Sequence, residues 1–212
     1  ARKNLMAIST YAQLQTATAN WLDRTDLTAR VPEFIALAEA EFNRKIRQPQ
    51  MVTRNDSFTI DGQYEAIPTD TLEIQRIVLD LTPVITLQYI TPNEISEKRA
   101  GLTGTGRPIY YSIIGENMEF VRTPDSAYTA SIMYYQRIPA LSDSATTNWL
   151  LTNHPDIYLY GTLLQSAPFL MYDERIPMWG KLLNDRLEAL KLQGERETHG
   201  SPIRMMAKSL GQ

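Results

Sequence analysis

The hydrophobic residues of this chain change their spacing twice, and that pattern narrows the possible folds more than any other feature. From Ser9 to about Arg47 they recur at steps of three and four, the period of a helix with one buried stripe. From Met51 to about Ile138 they alternate in short β-branched and aromatic runs. After the polar segment SDSATTN the helical period returns, from Ile157 to Leu190. The pattern predicts an α+β fold: a four-helix core formed from N- and C-terminal helix pairs, with an inserted antiparallel β lobe. The expected boundaries are residues 1–50 for the first helical pair, 51–140 for the β lobe and 149–194 for the second pair. Residues 195–212 read as a mobile tail, because they lack periodicity and contain Gly200 and Pro202. A chain of 212 residues is long enough for such a domain with its insertion.

In the first pair, Ser9 is a suitable N-cap, and Tyr11, Leu14, Thr18 and Trp21 follow at helical steps. A second helix begins near Pro32, with Val31, Ile35, Ala38, Phe42 and Ile46 as its apolar stripe. Glu33, Glu39, Arg44, Lys45 and Arg47 fall to its solvated face, acids early and bases late. In the second pair, Ile157, Tyr160, Leu164, Ala167 and Met171 form one seam. Ile176, Trp179, Leu183, Leu187 and Leu190 form the other, and Pro168 is expected to kink the first arm. The helical core is expected to include Trp21, Phe34, Phe42, Ile157, Leu164, Trp179 and Leu183. Within the β lobe, Gly115-Glu116 marks a hairpin turn, and TPNEISEKRAG breaks the alternation as a short helix capped by Thr91 or Asn93.

The residues offer little to catalysis. There is no cysteine, so disulfides, zinc-thiolate sites and thiol nucleophiles are excluded. The two histidines, His154 and His199, lie far apart in sequence. In Asn153-His154-Pro155-Asp156, Asn153 fits an N-cap and Asp156 meets the positive end of the helix, which leaves His154 exposed. GLTGTGRP, from Gly101 to Pro108, has neither dinucleotide-binding nor P-loop spacing. Carboxylate pairs such as Glu39 with Glu41 and Asp173 with Glu174 fall on solvated faces or in a turn. The basic residues Arg44, Lys45, Arg47 and Arg54 read as a solvated helix end or a subunit contact. A formal net charge of -3 argues against general nucleic-acid binding, and no apolar run approaches the roughly 20 residues of a membrane span. No cofactor or metal is expected.

The run YAQLQTATANWLDRTDLTARVPEFIALAEAEFNRKIR resembles the opening of head-to-tail adaptor proteins of tailed bacteriophages, the tail tubular protein A-like family. The run LLTNHPDIYLYGTLLQSAPFLMYDERIPMWGKLLNDRLEAL resembles their second helical pair. The resemblance rests on diffuse elements (W-L-x-R, P-x-F-I-x-L-A-E, N-H-P-D-I-Y-L-Y-G and A-P-F-L), none of catalytic spacing. It implies a non-enzymatic virion protein at the portal vertex, assembled in the host cytoplasm. Such proteins form a ring, typically of twelve copies, that docks on the portal protein and meets a tail nozzle or other tail proteins. DNA passes through the central channel without sequence-specific binding, and no membrane is involved. By position, the segment SPIRMMAKSL would bind the portal, with Met205, Met206 and Leu210 as apolar anchors and Arg204 and Lys208 as charged contacts.

Two other functional classes stand beside this one. A tail-associated carbohydrate-binding module would use Tyr110, Tyr111, Tyr134 and Tyr135 of the β lobe as stacking platforms. A hydrolase would have to recruit His154 or His199 for a triad, or a carboxylate pair.

Overall fold

The structure, a computed structural model, describes residues 8–170 and 173–199. It divides into two compact units. One unit draws its described residues from the two ends of the chain, up to Gln50 and from Ile138 onward. The other is the continuous segment Met51–Arg137.

In the helical unit, α1 (Tyr11–Leu22) starts at a capping box: Thr10 accepts from the Gln13 N–H while the Gln13 side chain accepts from the Thr10 N–H. Thr10, not Ser9, is therefore the cap. The buried face of α1 is Tyr11, Leu14, Thr18 and Leu22. Trp21 is 43% exposed and lies edge-on to Tyr160, with ring centroids 6.1 Å apart. Its expected place in the core is corrected by one helical step: the buried stripe continues from Thr18 by four residues to Leu22, not by three.

A 3-10 turn, Thr25–Arg30, leads into α2 (Val31–Lys45), which has Pro32 in its first turn. Val31, Phe34, Ile35, Ala38, Phe42 and Ile46 are all buried. The short α4 (Trp149–Asn153) and α5 (Pro155–Gln165) follow the second crossing between units, and α6 (Ile176–His199) ends the described chain. α5 packs against α1, α2, α4 and α6, so it is buried nearly all round instead of along one stripe. Ile157, Tyr158, Leu159 and Leu163 are buried, while Tyr160 and the expected core residue Leu164 are half-buried. Gly161 allows the close approach of α2, since a Cβ there would overlap the Phe42 ring.

Pro168 does not kink α5. The helix stops at Gln165, Ser166 Oγ donates to the Leu163 carbonyl, and Pro168 sits in a separate 3-10 turn, Ala167–Phe169. Trp179, Leu183 and Leu190 form the buried stripe of α6. Periodicity placed the end of this helix at Gly194, but it runs on to His199. The polar residues Glu195–Thr198 extend it without an apolar stripe because their side chains are exposed.

The β unit contains two four-stranded sheets. One has the order β1 (Val52–Ile60), β8 (Tyr128–Gln136), β3 (Thr71–Leu79), β4 (Ile85–Thr86), paired antiparallel throughout. The other runs β2 (Tyr64–Ala66), β7 (Asn117–Val121), β6 (Tyr110–Ile114), β5 (Gln88–Tyr89). Here the β5–β6 pair is parallel, which refines the expectation of an antiparallel lobe. A parallel pair needs a crossover, and α3 (Pro92–Gly101) supplies it, capped by a Thr91–Glu94 capping box. The β6–β7 hairpin turns at Gly115, whose positive φ of 63° suits glycine. Ile60, Ile77, Leu79, Ala130, Ile132 and Tyr134 from the first sheet meet Tyr111, Met118 and Phe120 from the second in one buried core.

Candidate functional site

The polar groups most firmly built into the helical unit surround Glu39. It stands four residues after Ile35 and three before Phe42, on the buried face of α2, and its side chain is buried. One carboxylate oxygen, Oε1, accepts from the Leu141 N–H at 2.8 Å and from the Tyr158 hydroxyl at 3.1 Å. Asn148 completes the arrangement. Its Nδ2 donates to the Tyr158 hydroxyl at 2.6 Å and to the Pro139 carbonyl at 2.7 Å, while its Oδ1 accepts from the Leu151 N–H at 2.9 Å. Burial raises the pKa of Glu39, and it outweighs the two donated hydrogen bonds that favour the charged form. Tyr158 is raised as well, first by burial and then by the neighbouring carboxylate.

A buried acid with a raised pKa is a signature by which catalytic acids are sought. Here its partners are a backbone N–H and a buried phenol of the same core, so the arrangement joins α2, α4 and α5 to the segment that re-enters the helical unit. The solvated position expected for Glu39 is thus corrected. Its supposed partner Glu41 accepts instead from Lys45 and from Gln165 Nε2.

The cap expected at Asn153 is also corrected. Asn148 caps α4, and Asn153 is the exposed last residue of that helix. His154, half-buried, is the non-helical joint between α4 and α5, and it gives α5 no side-chain cap. Asp156 does lie in the first turn of α5, where it accepts from the Ile157 N–H and pairs with Arg186 of α6 at 3.0 Å. The other expected carboxylate pair is likewise taken up by the fold. Asp173 is bonded by Arg175, whose guanidinium also donates to the Trp21 and Leu22 carbonyls at the end of α1 and lies 5.2 Å from the Trp179 ring centroid. That bond holds the Asp173 carboxyl below its ordinary range.

In the β unit, Tyr111 and Tyr134 are buried in the inter-sheet core, while Tyr110 and Tyr135 are half-buried. The four tyrosines therefore do not form an exposed platform. Arg54 belongs to β1 and pairs with Asp56, whereas Arg44, Lys45 and Arg47 belong to the helical unit. The segment Gly101–Pro108 joins α3 to β6, with positive φ at Gly104 and Gly106. The expected portal-binding residues Arg204, Met205, Met206, Lys208 and Leu210 lie outside the described residues. The helix leading to them is held firmly: Gln50 Nε2 donates to Glu197 at 2.8 Å, and a Cβ on Gly194 would overlap the buried Gln48 amide.

Among the described residues no group of three or more His, Asp or Glu is placed to hold a metal, and no helix is long and apolar enough to cross a membrane. A comparison with protein-family models matches the SU10 adaptor protein over residues 9–206, and the chain belongs to that family. It is thereby a phage adaptor, a structural component of the virion. A comparison with curated proteins found no match.

Proposed function

We propose that this chain is a ring-forming head-to-tail adaptor that docks on the portal protein and joins it to tail components around the DNA channel. The observation that carries the reading is the extent of the family match, which takes in both helical ends and the β unit. The match also runs through Arg204, Met205 and Met206 and stops before Lys208 and Leu210. The C-terminal segment is the portal-binding element, with the methionines as adaptable anchors and Arg204 and Lys208 as charged contacts. A ring of twelve copies at the portal vertex, assembled in the host cytoplasm, is the expected form. Repetition around such a ring favours docking by short segments, because each bound arm raises the effective concentration of the next. DNA passes through without sequence readout, and the role involves no enzymatic step.

The test mixes the protein with the portal protein of its own phage and images the complex by electron microscopy. A ring seated on the portal is expected. A chain ending at His199 should retain its helical circular dichroism but fail to co-sediment with portal. Binding by this shortened chain would remove the C-terminal segment from the mechanism. Absence of any complex with the full chain would overturn the adaptor reading.

A further inference from the structure

Two helical faces in the same unit carry matching patterns. On α2, Glu33, Ala36, Leu37, Ala40 and Arg44 are all exposed at positions i, i+3, i+4, i+7 and i+11, and Leu37 is 53% exposed. On α6, Asp185, Glu188, Ala189, Leu192 and Arg196 are exposed at the same steps, and Leu192 is 54% exposed. Each face has an acid at its N-terminal end and a base about three turns later, with Ala36, Leu37 and Ala40 between them on α2 and Glu188, Ala189 and Leu192 between them on α6. Ala189, Leu192 and Arg196 also line an open groove on α6.

We propose that the α2 face of one copy packs antiparallel on the α6 face of a second copy of this chain. In that register Glu33 meets Arg196, Leu37 meets Leu192, Ala40 meets Ala189 and Arg44 meets Asp185. Both ends are then attractive, and the two exposed leucines cover each other. Glu33 has a loose partner in its own chain, Arg30 at the end of the preceding 3-10 turn, at 3.6 Å with both side chains solvated, which it can exchange at little cost. Pairing α2 with α2, or α6 with α6, also matches charges but leaves the other leucine in water and closes as a dimer. The cross-pairing uses two different faces, so each copy has one of each to offer and the contact repeats around a ring. This inference rests on the ring-forming reading above and names the subunit interface for it.

The natural absence of cysteine gives a clean test. Leu37→Cys and Leu192→Cys variants are oxidised separately, mixed, and combined in one chain. The inference expects disulfide-linked pairs in the mixture, little cross-linking of either variant alone, and a ladder of oligomers from the double variant. Arg44→Glu should weaken self-association by at least about tenfold, since like charges facing across an interface are strongly disfavoured. Adding Asp185→Arg should restore association. Restoration by Glu33→Arg instead, with dimers from Leu37→Cys alone, would overturn the cross-pairing in favour of α2 on α2. Rings that form on the portal with none of these cross-links would overturn the interface and leave the adaptor reading standing. A chain that neither self-associates at any concentration nor binds portal would overturn both.

Discussion

Glu39 shows how a single position can hold a core together through polar contacts while being disfavoured there as a charge. The folded state prefers its protonated form because burial raises its pKa. Between the ordinary carboxylate range and that raised value, the folded protein keeps a proton that the unfolded chain has released. Stability therefore falls as pH rises through this window and is level above it. Glu39→Gln keeps the acceptor for Leu141 N–H and Tyr158 without titrating. Its stability should lack that decline, leaving it more stable than the parent at neutral pH, as urea midpoints measured from about pH 4 to about pH 8 would show. An identical slope for both proteins would remove Glu39 from the account. Asn148 and Asn153 make a second contrast at this scale. Asn148→Ala loses a cap and two donated bonds and should cost about 1–3 kcal/mol. Asn153→Ala, on an exposed helix end, should stay within about 0.5 kcal/mol in the same unfolding assay. The burial of Glu39 is legible in its phase, which it shares with Ile35 and Phe42, whereas its residue type points to solvent. The cap was misplaced for another reason: α4 is a single short turn whose apolar residues merge with those of α5.

Among elements, α5 is the one the others are built around. It touches four helices, so its sequence shows a broad apolar surface and not a stripe, and a seam drawn at steps of three and four selects Tyr160 and Leu164, its less buried members. Gly161 sets how closely α2 can approach it. Gly161→Ala forces the Phe42 ring aside and should cost about 1–3 kcal/mol, as overpacking does, with thermal or denaturant unfolding as the measurement. Unchanged stability would mean that the Phe42 ring has room to move. The strands were readable from alternation and turn residues, because those signals are local. The two-residue β5–β6 ladder has no signature of its own. Its direction was nevertheless implied by the helix between the two strands, since a chain that crosses over a sheet returns parallel.

At the scale of the whole molecule, the two units can be separated because the β unit begins and ends on partnered strands. Val52 of β1 lies opposite Tyr135 of β8, so the chain enters and leaves the unit at neighbouring positions of one ladder. Replacing residues 51–137 by a short Gly/Ser linker should therefore leave the helical unit folded, with retained helical dichroism and a single cooperative melting transition. Loss of that transition would show that the helices need the β unit. The helical unit, in contrast, closes between residues far apart in sequence: Tyr158 reaches Glu39 across 119 positions. During synthesis the β unit emerges whole and can fold while α1 and α2 still lack the helix that covers them. The helical unit closes only after the ribosome has made α5 and α6. A chain stopped before α5 and α6 therefore lacks the cover for α1 and α2.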